Sequence, residues 1–247
     1  MSKLFPPMST RPKPVYAVAT LFWWGMAFAL IPMYLPILCL GIWENHMYMS
    51  WFEIGYHIVN AVVAGAFLKD HFSEGWFMVG IDKKFYIGHV TLTLGLMIGA
   101  TAVMSVVFWL FGIHPLFLTN AFPVVELSVA LTPGYLIILQ PIFGTASMIL
   151  FAPIAVCGLL YGVGFAPFCG KRPWLAYVIV AVTIFVPVLV DILWRGDTEL
   201  MLMMYLMQLP VHLLACWSYQ KTDNICTPVM ALAGINLLGA VVNILIG

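Results

Sequence analysis

Residues 87–113 read IGHVTLTLGLMIGATAVMSVVFWLFGI, an apolar run of 27 residues that contains no Asp, Glu, Lys or Arg. A helix needs about 20 apolar residues to cross the hydrocarbon core of a bilayer, so this run is long enough to span one. It lacks the two-residue alternation that is typical of strands in transmembrane barrels. The run therefore predicts a membrane-spanning α-helix.

The composition of the whole chain places most of its surface in contact with lipid. Of the 247 residues, 63% are hydrophobic and 8% are charged, whereas soluble domains usually hold about 25% charged residues. A backbone inside the bilayer must satisfy its own hydrogen bonds, which leaves helix bundles and closed barrels. We therefore expect an all-α fold, a polytopic bundle of transmembrane helices.

Six apolar segments are predicted to span the membrane. A further region, from Leu116 to Phe168, contains five prolines, and each proline can end or kink a helix. That region could form one span with flanking half-helices, or two or three short spans, so the expected total is about seven to nine. The six predicted segments are Val15–Ile42, Trp51–Leu68, Ile87–Ile113, Trp174–Trp194, Leu200–Tyr219 and Pro228–Ile246.

The basic residues predict how the bundle is oriented, because cytoplasmic loops are enriched in Lys and Arg. With a cytoplasmic N-terminus, nine of the ten basic residues face the cytoplasm, and Arg195 is the exception. This arrangement requires an odd number of spans, seven or nine, and an external C-terminus. We therefore expect an integral, multi-pass membrane protein with its N-terminus inside.

The connection Lys69–Lys84 differs from the other connections because it is long and amphipathic. It combines charged residues with Trp76 and Phe77, and Phe85 follows directly. Such a segment is expected to lie along the membrane surface. No internal repeat is evident, so residues 1–247 are treated as one membrane domain with an interfacial segment near residues 69–86.

Polar residues inside predicted spans are the first place to look for function, because ionisable side chains are costly there and usually face the bundle interior. Glu53, His57 and Asn60 share one helical face, where the carboxylate could orient the imidazole. Such a pair could bind a metal or relay a proton. The alternative is that Glu53 lies near the outer interface and His57 packs against another helix through one hydrogen bond.

A second set of polar residues comes from separate predicted helices. Glu126 lies deeper in its apolar run than Glu53 does, which makes it the better candidate for a functional carboxylate. If the polar faces of these helices converge, they form a polar core. For the chain as a whole, the candidate catalytic residues are Glu126, Glu53, His57, His212 and Asn236. The second set is Glu126, Asp191, Gln208, His212, Asn236 and Asn243.

No cofactor or metal site is predicted. The five cysteines form no C-x-x-C pair and are interpreted as buried thiols. Methionines crowd the segment before His212, but they spread around the helix and are interpreted as packing rather than as a copper site. The net charge is zero, which gives no electrostatic argument for nucleic acid. The expected partners are the lipid bilayer and a membrane protein or peptide ligand.

The C-terminal segment resembles the end of the CAAX-processing and bacteriocin-processing membrane proteases, the CPBP or Abi family. Tyr219, Thr222, Pro228 and Asn236 match that family's landmarks. Residues 152–162 resemble the segment that holds the Glu-Glu-x-x-x-Arg-Gly signature, in which Pro153 and Gly162 fit. Other positions depart from the family: Asp223 replaces the turn glycine, Leu232 replaces a histidine, Val156 and Cys157 replace the two glutamates, and Tyr161 replaces the arginine.

The departures fall on the residues on which the family's chemistry is thought to depend, namely a glutamate that activates water, with histidines and asparagine completing the site. The Phe-x-x-x-His motif would fall at Phe185, which is followed by Leu189. The resemblance therefore implies a degenerate, non-catalytic relative that binds or scaffolds a membrane partner, peptide or lipidic ligand. The alternatives are a protease with displaced catalytic residues, and a transporter or channel component whose broken helices meet in the bilayer.

Overall fold

The computed structural model describes residues 46–112, 143–170, 172–195 and 198–246, and this part of the chain is helical throughout, without strands. The all-α prediction is therefore confirmed. The predicted span Val15–Ile42 lies outside the described residues. The described helices are α1 (His46–Phe67), α2 (Lys69–Ile81), α3 (Lys83–Leu110), α4 (residues 143–169), α5 (Pro173–Arg195), α6 (Thr198–Thr222) and α7 (Cys226–Ile246).

Helix α3 coincides with the uncharged apolar run at residues 87–113. Asp82 starts it four residues earlier than the run does, because its carboxylate accepts the backbone N–H of Phe85 at 3.2 Å. Gly112, with φ of +75°, follows its end, in the left-handed region that favours glycine. Two helical stretches of the described chain, Lys83–Leu110 and Phe143–Gly162, are long and apolar enough to cross a membrane.

The hydroxyl groups of α3 are satisfied within the helix itself. Thr93 donates to the carbonyl of His89 at 2.7 Å, Thr101 to that of Met97 at 2.9 Å and Ser105 to that of Thr101 at 2.8 Å. A hydroxyl paired in this way needs neither water nor a partner helix. These polar residues are therefore compatible with an apolar environment around α3.

Helix α4 passes through two prolines that could each have ended it. Instead of breaking, it contains two π-helical stretches, Ser147–Phe151 and Cys157–Phe165. Each stretch is followed by a short α-helical stretch that begins with Ala-Pro, at Pro153 and at Pro167. A π-helix pairs each carbonyl with the N–H five residues later rather than four. At these two prolines the helix therefore changes geometry without ending.

Helix α4 is the centre of the described bundle, since it packs against α1, α5 and α7 and also touches α6. It runs parallel to α1: a Cβ built on Gly158 would lie 2.6 Å from the Cβ of Ala64, and one on Gly162 would lie 2.8 Å from Cδ1 of Leu68. Small residues let the two helices approach this closely. Tyr161 and Phe165 of α4 are fully buried in the resulting core.

Three connections gather at one end of the bundle, which we call the α2 end: helix α2, the α4–α5 connection and the α6–α7 turn at residues 223–225. Gly162 lies against both Leu68 and Ile225, and Tyr177 at the start of α5 donates to the side-chain carbonyl of Gln220 at 2.8 Å. At the opposite end lie the start of α1 and the end of α3.

Candidate functional site

A polar pair inside the described bundle joins α4 to α6. The hydroxyl of Tyr161 and Nδ1 of His212 lie 2.5 Å apart and form a hydrogen bond. Tyr161 is fully buried and His212 is half-buried. The phenol of Tyr161 is uncharged in its neutral form. This hydrogen bond links α4 to α6.

Asn236 has a structural partner on α4. Its side-chain amide donates to the backbone carbonyl of Met148 at 2.7 Å. This carbonyl lies in the first π-helical stretch, where its partner five residues later would be Pro153, which has no N–H to give. Asn236 therefore supplies the hydrogen bond that the proline withholds, because a buried carbonyl without one is costly.

The face of α1 that carries His57 packs toward α4. Ile54, Ala61 and Ala64 are buried on this face, and Asn60 is buried beside it. His57 follows the same spacing and is half-buried. His57 and Asn60 therefore lie on the side of α1 that packs against α4. The structure does not describe the side chain of Glu53, and Glu126 lies outside the described residues.

His212 and Asn236 pair with different segments of α4 rather than with each other. His212 bonds to Tyr161 in the second π-helical stretch of α4, and Asn236 bonds to Met148 in the first. Within the described residues, no group of three or more His, Cys, Asp and Glu side chains is placed to hold a metal ion. Each of these two polar contacts joins one helix to another.

A second polar network, which the sequence did not single out, fixes α2 against the α6–α7 turn. The buried side chain of Asn224 donates from Nδ2 to the carbonyl of Gly75 at 2.9 Å and accepts the backbone N–H of Cys226 at 2.9 Å. The thiol of Cys226 donates to the carbonyl of Phe72 at 3.7 Å. We call Gly75, Asn224 and Cys226 the α2 clamp.

The α2 clamp requires glycine at position 75. A Cβ there would lie 2.6 Å from Oδ1 of Asn224 and 2.8 Å from Sγ of Cys226, closer than carbon approaches oxygen or sulfur in proteins. A sequence signal for part of the clamp exists: Asn two residues before a helix start is typical of N-terminal capping. The other part, a glycine 149 residues away, has no such signal.

Hydroxyl contacts continue the network into the turn. Thr222 donates to the carbonyl of Ser218 at 2.8 Å, and its oxygen lies 2.7 Å from the hydroxyl of Thr227. Asp223 adopts φ of +52°, in the left-handed region that favours glycine.

Three buried hydroxyls have no hydrogen-bond partner within the described part of the chain: those of Ser147, Ser218 and Tyr219. Tyr219 is fully buried, and its ring packs edge-to-face against Phe165 with the centroids 6.0 Å apart. Buried polar groups are usually paired. Ser147 belongs to α4, whereas Ser218 and Tyr219 are consecutive residues of α6.

Gly95 and Gly99 form a G-x-x-x-G motif on α3, and this motif faces away from the described bundle. Within the described residues, nothing lies within 4 Å of a Cβ built on Gly88, Gly95 or Gly99. The buried residues of α3, which include Thr93 and Met97, lie on the other side of the helix. Within the described residues, Gly95 and Gly99 therefore face outward.

Comparison of the chain with protein-family models, with curated proteins and with solved structures finds no match.

Proposed function

We propose that this chain is a non-catalytic, multi-pass membrane protein that binds or scaffolds a membrane partner. The observation that carries the proposal is the outward stripe of small residues on α3: Gly88, Gly95, Gly99 and Ala102 are all exposed. Lipid and apolar side chains attract a helix about equally, so association in a bilayer depends on close backbone approach, which small residues permit. This stripe would allow a transmembrane helix of a partner to pack closely against α3.

The hydrogen bonds that polar side chains form inside the bundle support a structural role for these side chains. His212, Asn236 and Asn224 each make a hydrogen bond that joins two elements. An acid-base catalyst instead needs a group whose proton-transfer atom can reach the substrate. The Nδ1 atom of His212 and the amide of Asn236 are occupied by packing contacts, which favours binding over hydrolysis.

The distribution of aromatic residues along α3 supports its membrane location. Phe85 and Trp109 are exposed near its two ends, and 24 residues of α-helix extend about 36 Å. The hydrocarbon core of a bilayer is about 30 Å thick, and aromatic side chains collect at its two interfaces. The segment between Phe85 and Trp109 has the length that a slightly tilted span needs.

The positions of basic residues support an orientation with the α2 end in the cytoplasm. Lys69, Lys83, Lys84, Arg172 and Lys221 all lie at this end and are exposed. Cytoplasmic loops are enriched in such residues. With the further span predicted at Val15–Ile42, the N-terminus would then also be cytoplasmic, in a bundle of about seven to nine spans.

The proposal is tested by blocking the stripe. The double variant Gly95→Leu, Gly99→Leu places two branched side chains on the outward face of α3, where the described bundle leaves open space. We expect the variant to fold and to lose the partner that the native protein retains in mild detergent, measured by size-exclusion chromatography with light scattering and by cross-linking in native membranes.

The matched control is Gly65→Leu on α1, where a Cβ also meets open space. We expect this control to keep the partner. Retention of the same complex by the α3 double variant would overturn the proposed surface. A double variant that loses thermal stability as well as association would place a segment of this chain, not a partner, against the stripe.

A further inference from the structure

We propose that α2 is an interfacial helix that inserts Trp76, Phe77 and Ile81 into the headgroup region of one bilayer leaflet, and that Asn224 holds it at this depth. The partner is therefore a lipid surface. The inference rests on the proposed membrane location, but it concerns a different surface from the α3 stripe. The α2 clamp attaches this helix to the α6–α7 turn.

The exposed side of α2 is apolar toward its C-terminal end. Trp76 is 50% exposed, Phe77 58% and Ile81 57%, although all three are side chains that proteins usually cover. Lys69, Asp70 and Ser73 are exposed toward the start of the helix. The helix has 13 residues and extends about 20 Å, too short to cross the hydrocarbon core.

The start of the neighbouring helix α3 indicates the depth of this apolar surface in the bilayer. Lys83 and Lys84 are exposed at its start, and charged side chains at the end of a span lie among the headgroups. Ile81 is two residues before Lys83, so it lies within about one helical turn of the same level. Trp, Phe and Lys together are typical of the headgroup boundary, not of a protein interface, where Lys is depleted.

The opposite side of α2 is attached to the protein. Gly75 is buried and its carbonyl accepts from Nδ2 of Asn224, while the carbonyl of Phe72 accepts from the thiol of Cys226. Both acceptors lie in the middle of α2, between its connections to α1 and α3. The contact fixes which side of α2 faces the bundle, and the apolar side is thereby directed outward.

The test measures the depth of single nitroxide labels in vesicles of phosphatidylcholine and phosphatidylglycerol. Labels replace Phe77, Ser73 and, as a reference for the bilayer centre, the exposed residue Leu96 of α3. The ratio of collision with oxygen to collision with a water-soluble nickel complex rises with depth. We expect the ratio at position 77 to lie between the low value at 73 and the high value at 96.

Each other outcome overturns a defined part of the account. A label at 77 that is as accessible to nickel as the label at 73 places α2 in water. A label at 77 as deep as that at 96 makes α2 part of a span, and protection from both reagents means that protein covers it. A water-accessible label at 96 would instead refute the proposed membrane location of α3.

The role of Asn224 as a positioning residue is tested with the same label. Asn224→Asp keeps the oxygen that accepts from Cys226 and removes the donor to Gly75, and Asn224→Ala removes both contacts. We expect each variant to increase the mobility of the label at 77 and to change its depth ratio, whereas Gln220→Ala at the same end should not. An unchanged spectrum and ratio in both Asn224 variants would overturn this role.

Discussion

Replacing Gly75 with alanine puts a methyl group where the α2 clamp leaves no room. The new Cβ would lie 2.6 Å from Oδ1 of Asn224 and 2.8 Å from Sγ of Cys226. The thiol can rotate away at modest cost. Asn224 cannot, because its amide and its carbonyl are both engaged, with Gly75 and with the N–H of Cys226.

The expected change in the free energy of unfolding is the sum of three contributions. Overpacking a close contact costs about 2 kcal/mol, and losing two hydrogen bonds costs about 1 kcal/mol each. Alanine is better than glycine in a helix by about 1 kcal/mol, which offsets part of the loss. We therefore expect Gly75→Ala to lower the free energy of unfolding by about 3 kcal/mol.

The assay is equilibrium unfolding in mixed micelles, followed by a thiol-reactive fluorophore, because Cys157, Cys216 and Cys226 are buried in the folded protein. The control is Gly80→Ala on the same helix, where nothing lies within 4 Å of the new Cβ. That variant should be unchanged or up to about 1 kcal/mol more stable.

A double-mutant cycle tests whether the cost of Gly75→Ala arises from Asn224. In the Asn224→Ala background the side chain that meets the new methyl group is gone, so Gly75→Ala should cost much less there than in the native protein. Equal costs in the two backgrounds would refute the clamp as the reason for glycine at position 75, and so would a Gly75→Ala variant as stable as Gly80→Ala.

Three further variants test the contacts of α4 by the same unfolding assay. Asn236→Leu should cost about 1–3 kcal/mol, because it leaves a buried α4 carbonyl without a donor; native stability would contradict this role. Gly158→Ala should cost about 1–3 kcal/mol, since its Cβ would meet the Cβ of Ala64 at 2.6 Å, and an unchanged free energy would refute the close α1–α4 approach. Tyr161→Phe should cost about 1–3 kcal/mol by leaving Nδ1 of His212 without its hydrogen bond, and a variant as stable as native would argue against that pair.

The helices were predictable from the sequence where apolar runs are long and uninterrupted. The run at 87–113 predicted α3 to within about four residues at either end, because an uncharged segment of that length has few alternatives in any solvent. The same reasoning placed α5, α6 and α7. The ends differ because capping by Asp82, not hydropathy, determines where α3 begins.

The continuity of α4 was not predictable by the same reasoning. Rules for proline describe an α-helix, in which the ring removes one hydrogen bond and clashes with the preceding turn. Around Pro153 the chain instead adopts π-helical geometry, and Asn236 satisfies the carbonyl of Met148 from 88 residues away. Sequence spacing predicts which residues share a helical face, but it does not predict which other helix that face meets.

In the candidate site, the sequence predicted the buried polar residues but not their hydrogen-bond partners. His57, His212 and Asn236 were selected as polar residues in apolar helices, and all three are at least half-buried in the described bundle. His212 bonds to a phenol and Asn236 to a backbone carbonyl. Neither partner is charged, so the sequence does not identify it as a partner. Gly75 and Asn224 form a contact only because the fold brings the α2 end together.

The central claim, that the helices cross a bilayer with the α2 end on the cytoplasmic side, is tested most directly by two introduced cysteines. Ser73→Cys lies at the α2 end and Gly112→Cys lies at the opposite end of α3. Intact cells are treated with a membrane-impermeant maleimide, and the labelled peptides are identified by mass spectrometry so that native thiols do not interfere. We predict labelling at position 112 in intact cells, and at position 73 only after the membrane is opened; labelling of both positions in intact cells, or the reverse order, would contradict the account.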